Sequence, residues 1–305
     1  MNKLIIGTRA SNLALAQADT VKKSLEEFDG NLQIEIRKIT TKGDRILNKP
    51  LAEIEGKGLF LKEIEKYLLE GSIDLAVHSL KDVPVDLPRG LKLAGYPFRE
   101  DPRDVLVAPN AANLRDLPPD AVVGTGSLRR KAQLLQRRSD LKIIPVRGNV
   151  NTRLEKLQQG EFQALILAAA GLKRLGLEDC ISCYFSPLDF LPAAGQGALA
   201  VEIRQGDKEI EKLITELEDE NISIQVRAER ALLSDLGGGC HVPIGCHGRV
   251  QADRLELSAM VGAPDGSEYY RKRLQGPKVR YREIARELAD KLLEAGAEEL
   301  LGEDI

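Results

Sequence analysis

The chain has 305 residues, 43% hydrophobic and 4% aromatic with no tryptophan, so its core rests on Leu, Ile, Val and Ala. That length suits two or three domains of about 100–150 residues. With 44 basic against 47 acidic residues, the net charge of -3 gives no global attraction for nucleic acid, and no window approaches the ~18 apolar residues of a membrane span.

In chain order, "KLIIGTRASNLALAQADTVKKSL" reads as a β-branched strand, a loop at Gly7-Thr8, and a helix that begins after Ser11, a good N-cap. "TTKGDRILNKPLAEIEGKGLF" (40–60) is polar, punctuated by glycine and rich in lysine, Lys57 among them, and reads as a loop, either a lid or a solvated excursion. "EKYLLEGSIDLAV" is a helix ending at Gly71 and then a buried strand, which runs on into Ser79, Lys81 and Asp82. "PFREDPRD" (97–104), with two prolines and mixed charge, reads as a crossing between lobes. "AVVGTGSLRRKAQLLQRR" then repeats the opening grammar, with Gly124-Thr125 and Ser127 in place of Gly7-Thr8 and Ser11, and "LEKLQQGEFQALIL" repeats the helix, glycine and strand at Gly160. "LPAAGQGAL" (191–199) is a return crossing, after which "ALAVEIR" is expected to rejoin the first lobe. An acidic helix follows. The glycine run of "LGGGCHVPIGCHG" opens a strand meander with a turn at Asp265-Gly266 and a final amphipathic helix.

This alternation predicts an α/β protein of two similar lobes, each around a mainly parallel sheet, enclosing a hinged cleft, with a small C-terminal α+β domain. The expected boundaries are 1–97 with 198–217 for the first lobe, 103–191 for the second and 220–305 for the third domain. Ligands of such sheets bind beyond the strand ends. Without an apolar stretch after "MNKLII", a cytoplasmic location is expected, where four cysteines would be filler, metal ligands or reactive thiols rather than a disulfide framework.

Charge is unevenly distributed: residues 127–153 hold eight basic side chains and one acidic, whereas 207–220 hold seven acidic and two basic. Arg129 and Arg130 fall in the first turn of a helix, where the positive dipole end disfavours cations, so a compensating anion is expected there. A helix N-terminus with Ser127 and two guanidiniums suits a carboxylate or phosphate. If the pair serves only that ligand, replacing either by Leu leaves the fold intact. Arg9 sits at the equivalent turn of the first lobe, and Arg147 and Arg153 flank "GNVNT" at another. Any one of these is ordinarily a surface charge, but jointly they favour a polyanion site. Asp82 is either a turn residue before Val-Pro or the carboxylate that faces positive charge among these cations. His78 reads as a core histidine on the strand's other side. Cys180 and Cys183 form one C-x-x-C without a second close pair, a weak zinc signal, so no metal is expected. Three glycines before Cys240 leave its thiol accessible, as an attachment point or nucleophile needs. Cys246 is expected to pack in the following strand.

"IGTRASNLALAQ", "GKGLFLKEIE", "DLAVHSLKDVP", "VGTGSLRRKAQL", "RGNVNTRLEKL", "LPAAGQGALAVEIR" and "GGGCHVPIG" occur together in this order. The combination closely resembles porphobilinogen deaminase, the hydroxymethylbilane synthase family, from Gly7 to about Gly245. The resemblance implies two lobes like type II periplasmic binding proteins and a transferase of tetrapyrrole biosynthesis. Such an enzyme joins four porphobilinogens head to tail with loss of ammonia, then releases hydroxymethylbilane by hydrolysis. It implies a dipyrromethane cofactor on Cys240 through a thioether and Asp82 as the catalytic carboxylate. Ser79, Lys81, Ser127, Arg129 and Arg130, with Asp82, are then cofactor-binding. Arg9, Ser11, Lys57, Arg147, Arg153, Arg174 and Gln196 are substrate-binding, with Gln196 at the hinge. The expected partner is this small-molecule substrate, without nucleic acid or membrane, and the expected state is a monomer. His241, Cys246 and His247 near the attachment site are a departure that leaves room for an adventitious metal. A two-lobed binder of a small anion would share the architecture but has no use for Cys240, and a covalent cofactor mass separates the two. A nucleic-acid binder is weaker still, because the basic segment lacks interleaved aromatics for base stacking.

Overall fold

The computed structural model describes residues 3–41, 61–237 and 242–302. The chain forms two compact units, 1–100 with 197–223, and 101–196 with 224–305. The fold class is the α/β one expected from the alternation, with two five-stranded sheets and a third, three-stranded antiparallel sheet.

The first unit contains β1 (Lys3–Arg9), α1 (Asn12–Phe28), β2 (Gln33–Ile39), α2 (Lys62–Leu69), β3 (Leu75–Ser79), β4 (Leu91–Gly95), β10 (Leu199–Arg204) and α6 (Lys208–Glu216). Its sheet order is β2-β1-β3-β10-β4, with the first three strands parallel and β10 antiparallel to both neighbours. Both faces are covered, as strands of this kind require. Ala18, Val21 and Leu25 of α1 with Ile210 and Ile214 of α6 pack on Leu4, Ile6, Leu75, Val77 and Val201. Ile64 and Leu68 of α2 pack with Ile39, Ile73 and Ala76.

The second unit repeats the plan with β5 (Asp104–Val107), β6 (Val122–Gly124), α3 (Leu128–Arg137), β7 (Lys142–Ile144), α4 (Val150–Gln158), β8 (Ala164–Ala168), α5 (Ala169–Arg174) and β9 (Cys183–Tyr184). The order is β7-β6-β8-β5-β9, again three parallel strands and then an antiparallel one. The repeat extends to packing detail. A methyl on Gly7 would lie 2.3 Å from Ile73 Cδ1, and one on Gly124 would lie 2.7 Å from Leu165 Cδ2, so the matching glycines admit close neighbours. Gly71 and Gly160, with φ of 70° and 78°, stop the helices before β3 and β8 in the left-handed conformation that glycine adopts without strain.

α7 (Glu220–Asp235) leads into β11 (Ile244–Gln251), β12 (Arg254–Gly262), β13 (Tyr269–Pro277) and α8 (Tyr281–Leu292). Ala228 and Leu232 of α7 and Ile284, Leu288 and Leu292 of α8 bury the meander's apolar face with Leu255, Leu257 and Val261. This sheet is tied to the second α/β sheet within one unit. Cys246 N donates to Pro192 O at 2.9 Å, and Gly266 lies against the backbone of α3, where a methyl would stand 2.9 Å from Gln136 N. Among the described residues, no helix is long and apolar enough to cross a membrane.

Candidate functional site

In the first unit β1 and β3 are parallel neighbours, with Ile6 opposite Leu75 and Gly7 opposite Ala76, so their C-terminal ends share one sheet edge. β1 ends on Arg9. Ser11 then caps α1, its Oγ accepting from Ala14 N at 3.3 Å. β3 ends on Ser79, whose hydroxyl accepts from Gln17 Nε2 at 2.7 Å; Gln17 is 3% exposed, so α1 fixes the strand end from within. The chain then makes one 3-10 turn, Leu80–Asp82, with Leu80 buried and Lys81 and Asp82 exposed.

A turn aspartate ordinarily accepts a backbone N–H. Here Val83 N closes the turn onto Leu80 O at 3.0 Å, and the Asp82 carboxylate has neither hydrogen bond nor ion pair among the described residues. The turn therefore does not depend on Asp82. His78 faces the other side of the strand, buried, with Nε2 2.9 Å from Glu202 Oε2.

In the second unit β6 and β7 are parallel, and Thr125 N continues the ladder to Ile144 O at 2.9 Å. The turns beyond them abut, since a methyl on Gly126 would lie 3.0 Å from Val146 O. Ser127 and Arg147 thus leave neighbouring strand ends. Ser127 caps α3, its Oγ accepting from Arg130 N at 3.4 Å. Arg147 Nη2 is buried and has no hydrogen-bond partner among the described residues. Arg153, in α4, donates from Nε to Gly148 O at 2.8 Å. Arg174 closes α5, at the helix end where the dipole favours a cation.

Arg129 and Arg130 are each only 6% exposed and converge on the fully buried Asp104. Arg129 Nη1 donates to Asp104 Oδ2 and to Leu191 O, both at 2.6 Å. Arg130 donates from Nε to Asp104 Oδ1 at 2.8 Å and from Nη1 to Ile166 O at 3.0 Å. Burial alone would push the Asp104 carboxyl up, but the two guanidiniums hold it down at about 2. Gln196 is fully buried, its Nε2 donating to Pro102 O at 2.7 Å and to the same Asp104 Oδ1 at 3.0 Å. The expectation that the arginine pair is dispensable for the fold is therefore corrected. Part of the anion that its position demands is supplied by the chain itself. Asp104 escaped sequence reading because it sat in a mixed-charge crossing, 25 and 26 positions from its partners. Gln17 and Gln133, which holds Leu191 through N at 2.7 Å, carried no signal at all.

Lys57, Cys240 and His241 lie outside the described residues. On the C-terminal side of 238–241, Gly245 rests against Arg129, where a methyl would stand 3.2 Å from Arg129 Cδ and 3.0 Å from Leu191 O. Cys246 is fully buried in the core of the third sheet, its Sγ 3.9 Å from Glu229 O. The fully buried Glu229 accepts from Gly195 N and Gly248 N, both at 2.7 Å, tying the segment before Gln196 to β11. No cluster of three potential metal ligands occurs among the described residues.

A family model described as "Porphobilinogen deaminase, dipyromethane cofactor binding domain" matches residues 4–212, and one for the porphobilinogen deaminase C-terminal domain matches 223–294. A porphobilinogen deaminase of Syntrophobacter fumaroxidans is 48% identical over 298 residues, 98% of this chain and 96% of that one. Among solved structures, a periplasmic aliphatic sulphonate-binding protein of Escherichia coli aligns with 77% of this chain and 70% of its own at 17% identity, with a TM-score of 0.42. A periplasmic solute-binding protein of Desulfovibrio salexigens aligns with 72% and 73% at 15% identity, also with a TM-score of 0.42.

Proposed function

The chain belongs to the porphobilinogen deaminase family, and from that premise we propose that Cys240 holds its dipyrromethane through a thioether while Asp82 is its catalytic carboxylate. The activity is that of a transferase of tetrapyrrole biosynthesis, a hydroxymethylbilane synthase, which joins porphobilinogens head to tail with release of ammonia. When bound, the dipyrromethane supplies the terminal pyrrole carbon to which the first unit is joined.

The observation that carries the site assignment is the buried, unpartnered Nη2 of Arg147, beside the turn that carries Ser127. A buried guanidinium nitrogen without an acceptor is costly, and an acidic ligand satisfies it. Dipyrromethane and porphobilinogen carry acetate and propionate side chains, so a donor set of Ser127, Arg129, Arg130, Arg147 and Arg153 fits their chemistry. Ser79 and Lys81 complete the cofactor set, and Arg9, Ser11, Lys57, Arg174 and Gln196 the substrate set.

Asp82 accepts hydrogen bonds from pyrrole N–H groups and offsets the positive charge that develops on porphobilinogen as ammonia leaves. Its exposed carboxylate, uncommitted to the turn, supports that role. A cytoplasmic monomer acting on a small molecule is part of the same reading. Intact mass of the purified protein tests it, together with peptide mapping. The added dipyrromethane mass is expected on the Cys240 peptide and lost in Cys240→Ser; the same mass on Cys246 or Cys180 would end the assignment.

A further inference from the structure

Arg129 and Arg130 carry two positive charges into a site only 6% exposed, and among the described residues Asp104 is the one carboxylate paired with either. Their remaining acceptors, Leu191 O and Ile166 O, are neutral. The pair also occupies the first turn of α3, whose N-terminal dipole adds positive potential. One unit of buried positive charge is thus left without an internal counterpart. We infer that Asp104 is the positioning residue of this arginine pair: it fixes both guanidinium forks and cancels one of the two charges, so that the pair accepts a single ligand carboxylate at a time.

The geometry supports fixing as well as cancellation. Asp104 opens β5 opposite Ala168 of β8, so its backbone is set by the sheet rather than by a loop. Arg129 reaches both oxygens, Oδ2 at 2.6 Å and Oδ1 at 3.4 Å, while Arg130 donates from Nε to Oδ1 at 2.8 Å, so one carboxylate holds both planar groups. Gln196 on Oδ1 ties the end of the crossing segment to the same carboxylate.

This inference rests on the reading that the arginines bind ligand carboxylates, and the test separates the two. It uses the full-length holoenzyme with porphobilinogen at several KCl concentrations. In Asp104→Asn the cluster gains one net charge. The kcat per folded molecule is expected to fall at least about tenfold, the scale of a sub-ångström to 1 Å misplacement, while KM stays level or falls and depends more steeply on salt. Asp104→Glu restores the charge from a displaced position, so the salt dependence returns to that of the parent while kcat stays low. If Asp104→Asn does not fold, the double variant Asp104→Asn/Arg130→Gln keeps the net charge, and its expected result is a parental salt dependence with a kcat below that of Arg130→Gln alone. An Asp104→Asn enzyme whose kcat, KM and salt dependence per folded molecule match the parent overturns the inference, as does a double variant whose kcat is no lower than that of Arg130→Gln. Arg130→Gln assigns the failure: full activity in that variant sinks the carboxylate-binding reading itself, whereas a crippled Arg130→Gln beside a normal Asp104→Asn sinks only the role of Asp104.

Discussion

His78 of β3 and Glu202 of β10 meet at 2.9 Å between adjacent antiparallel strands, and a second carboxylate, Glu65 of α2, is buried under the influence of both. Burial first, and the charge of Glu202 second, push Glu65 up from 4.5 to about 7, with His78 and Lys62 opposing. The folded protein therefore keeps a proton on Glu65 that the unfolded chain releases. Between pH 4.5 and about 7 the native state binds more protons, so stability falls as pH rises through that window.

Glu65→Gln removes this dependence. Denaturant melts at pH 5 and pH 8 should show the parent losing about 1–2 kcal/mol from this group, against a ceiling of about 3 kcal/mol for such a shift, while the variant stays level. A parent whose stability does not fall more than that of the variant would show that Glu65 ionises without penalty.

Arg129→Leu is expected to destabilise the protein by about 3 kcal/mol, because it strips a fully buried carboxylate of one of its two cations and Leu191 O of a donor. The same pair adds acid sensitivity. Asp104 is held below its ordinary 3.8 at about 2, so its stabilisation is complete above pH 4 and is lost as pH falls toward 2. Thermal melts of the variant at neutral pH decide the matter; a shift within error would mean that Asp104 is satisfied without Arg129.

Asp82→Asn should keep the parental melting temperature, since the side chain is exposed and holds nothing in its turn. It should lose turnover by at least about a hundredfold, the scale of removing a group that stabilises charge in the transition state. Asp82→Glu should retain a small residual rate. Steady-state bilane formation ranks the two, and an active Asn variant would return Asp82 to a turn residue.

Cys246→Ser puts a hydroxyl in place of a fully buried thiol of the third sheet's core, a cluster that includes Leu255, Leu257 and Leu288. A cost of about 1–3 kcal/mol is expected from denaturant melts, with the cofactor mass unchanged. Loss of that mass in a folded Cys246→Ser protein would move the attachment away from Cys240.

The local grammar of the fold was legible because it is written in neighbouring residues. Ser11 and Ser127 cap helices, Gly71 and Gly160 end them, and the Asp265-Gly266 turn joins β12 to β13, each within a few positions of the signal. The unease of two arginines at a helix start was legible too. What answered it was not, because a buried carboxylate and an exposed one are the same letter, and Asp104 is recognised only once β5 is laid beside β8. The Glu65, His78 and Glu202 group has the same origin: its members lie on three elements, with His78 and Glu202 separated by 124 positions.

β10 has a consequence for synthesis on the ribosome. It is an inner strand of the first sheet, between β3 and β4, yet about a hundred residues are translated between Gly95 at the end of β4 and Leu199 at its own start. At about 5–20 residues per second that interval lasts roughly 5–20 s. The strands of the second sheet, all between Asp104 and Tyr184, emerge within it and can pair at once. During that time β3 has no partner on one side and β4 none at all from its own sheet, leaving unpaired N–H and C=O groups along two apolar strands. The nascent chain is thus most vulnerable to wrong pairing after its second sheet is complete and before its first one is.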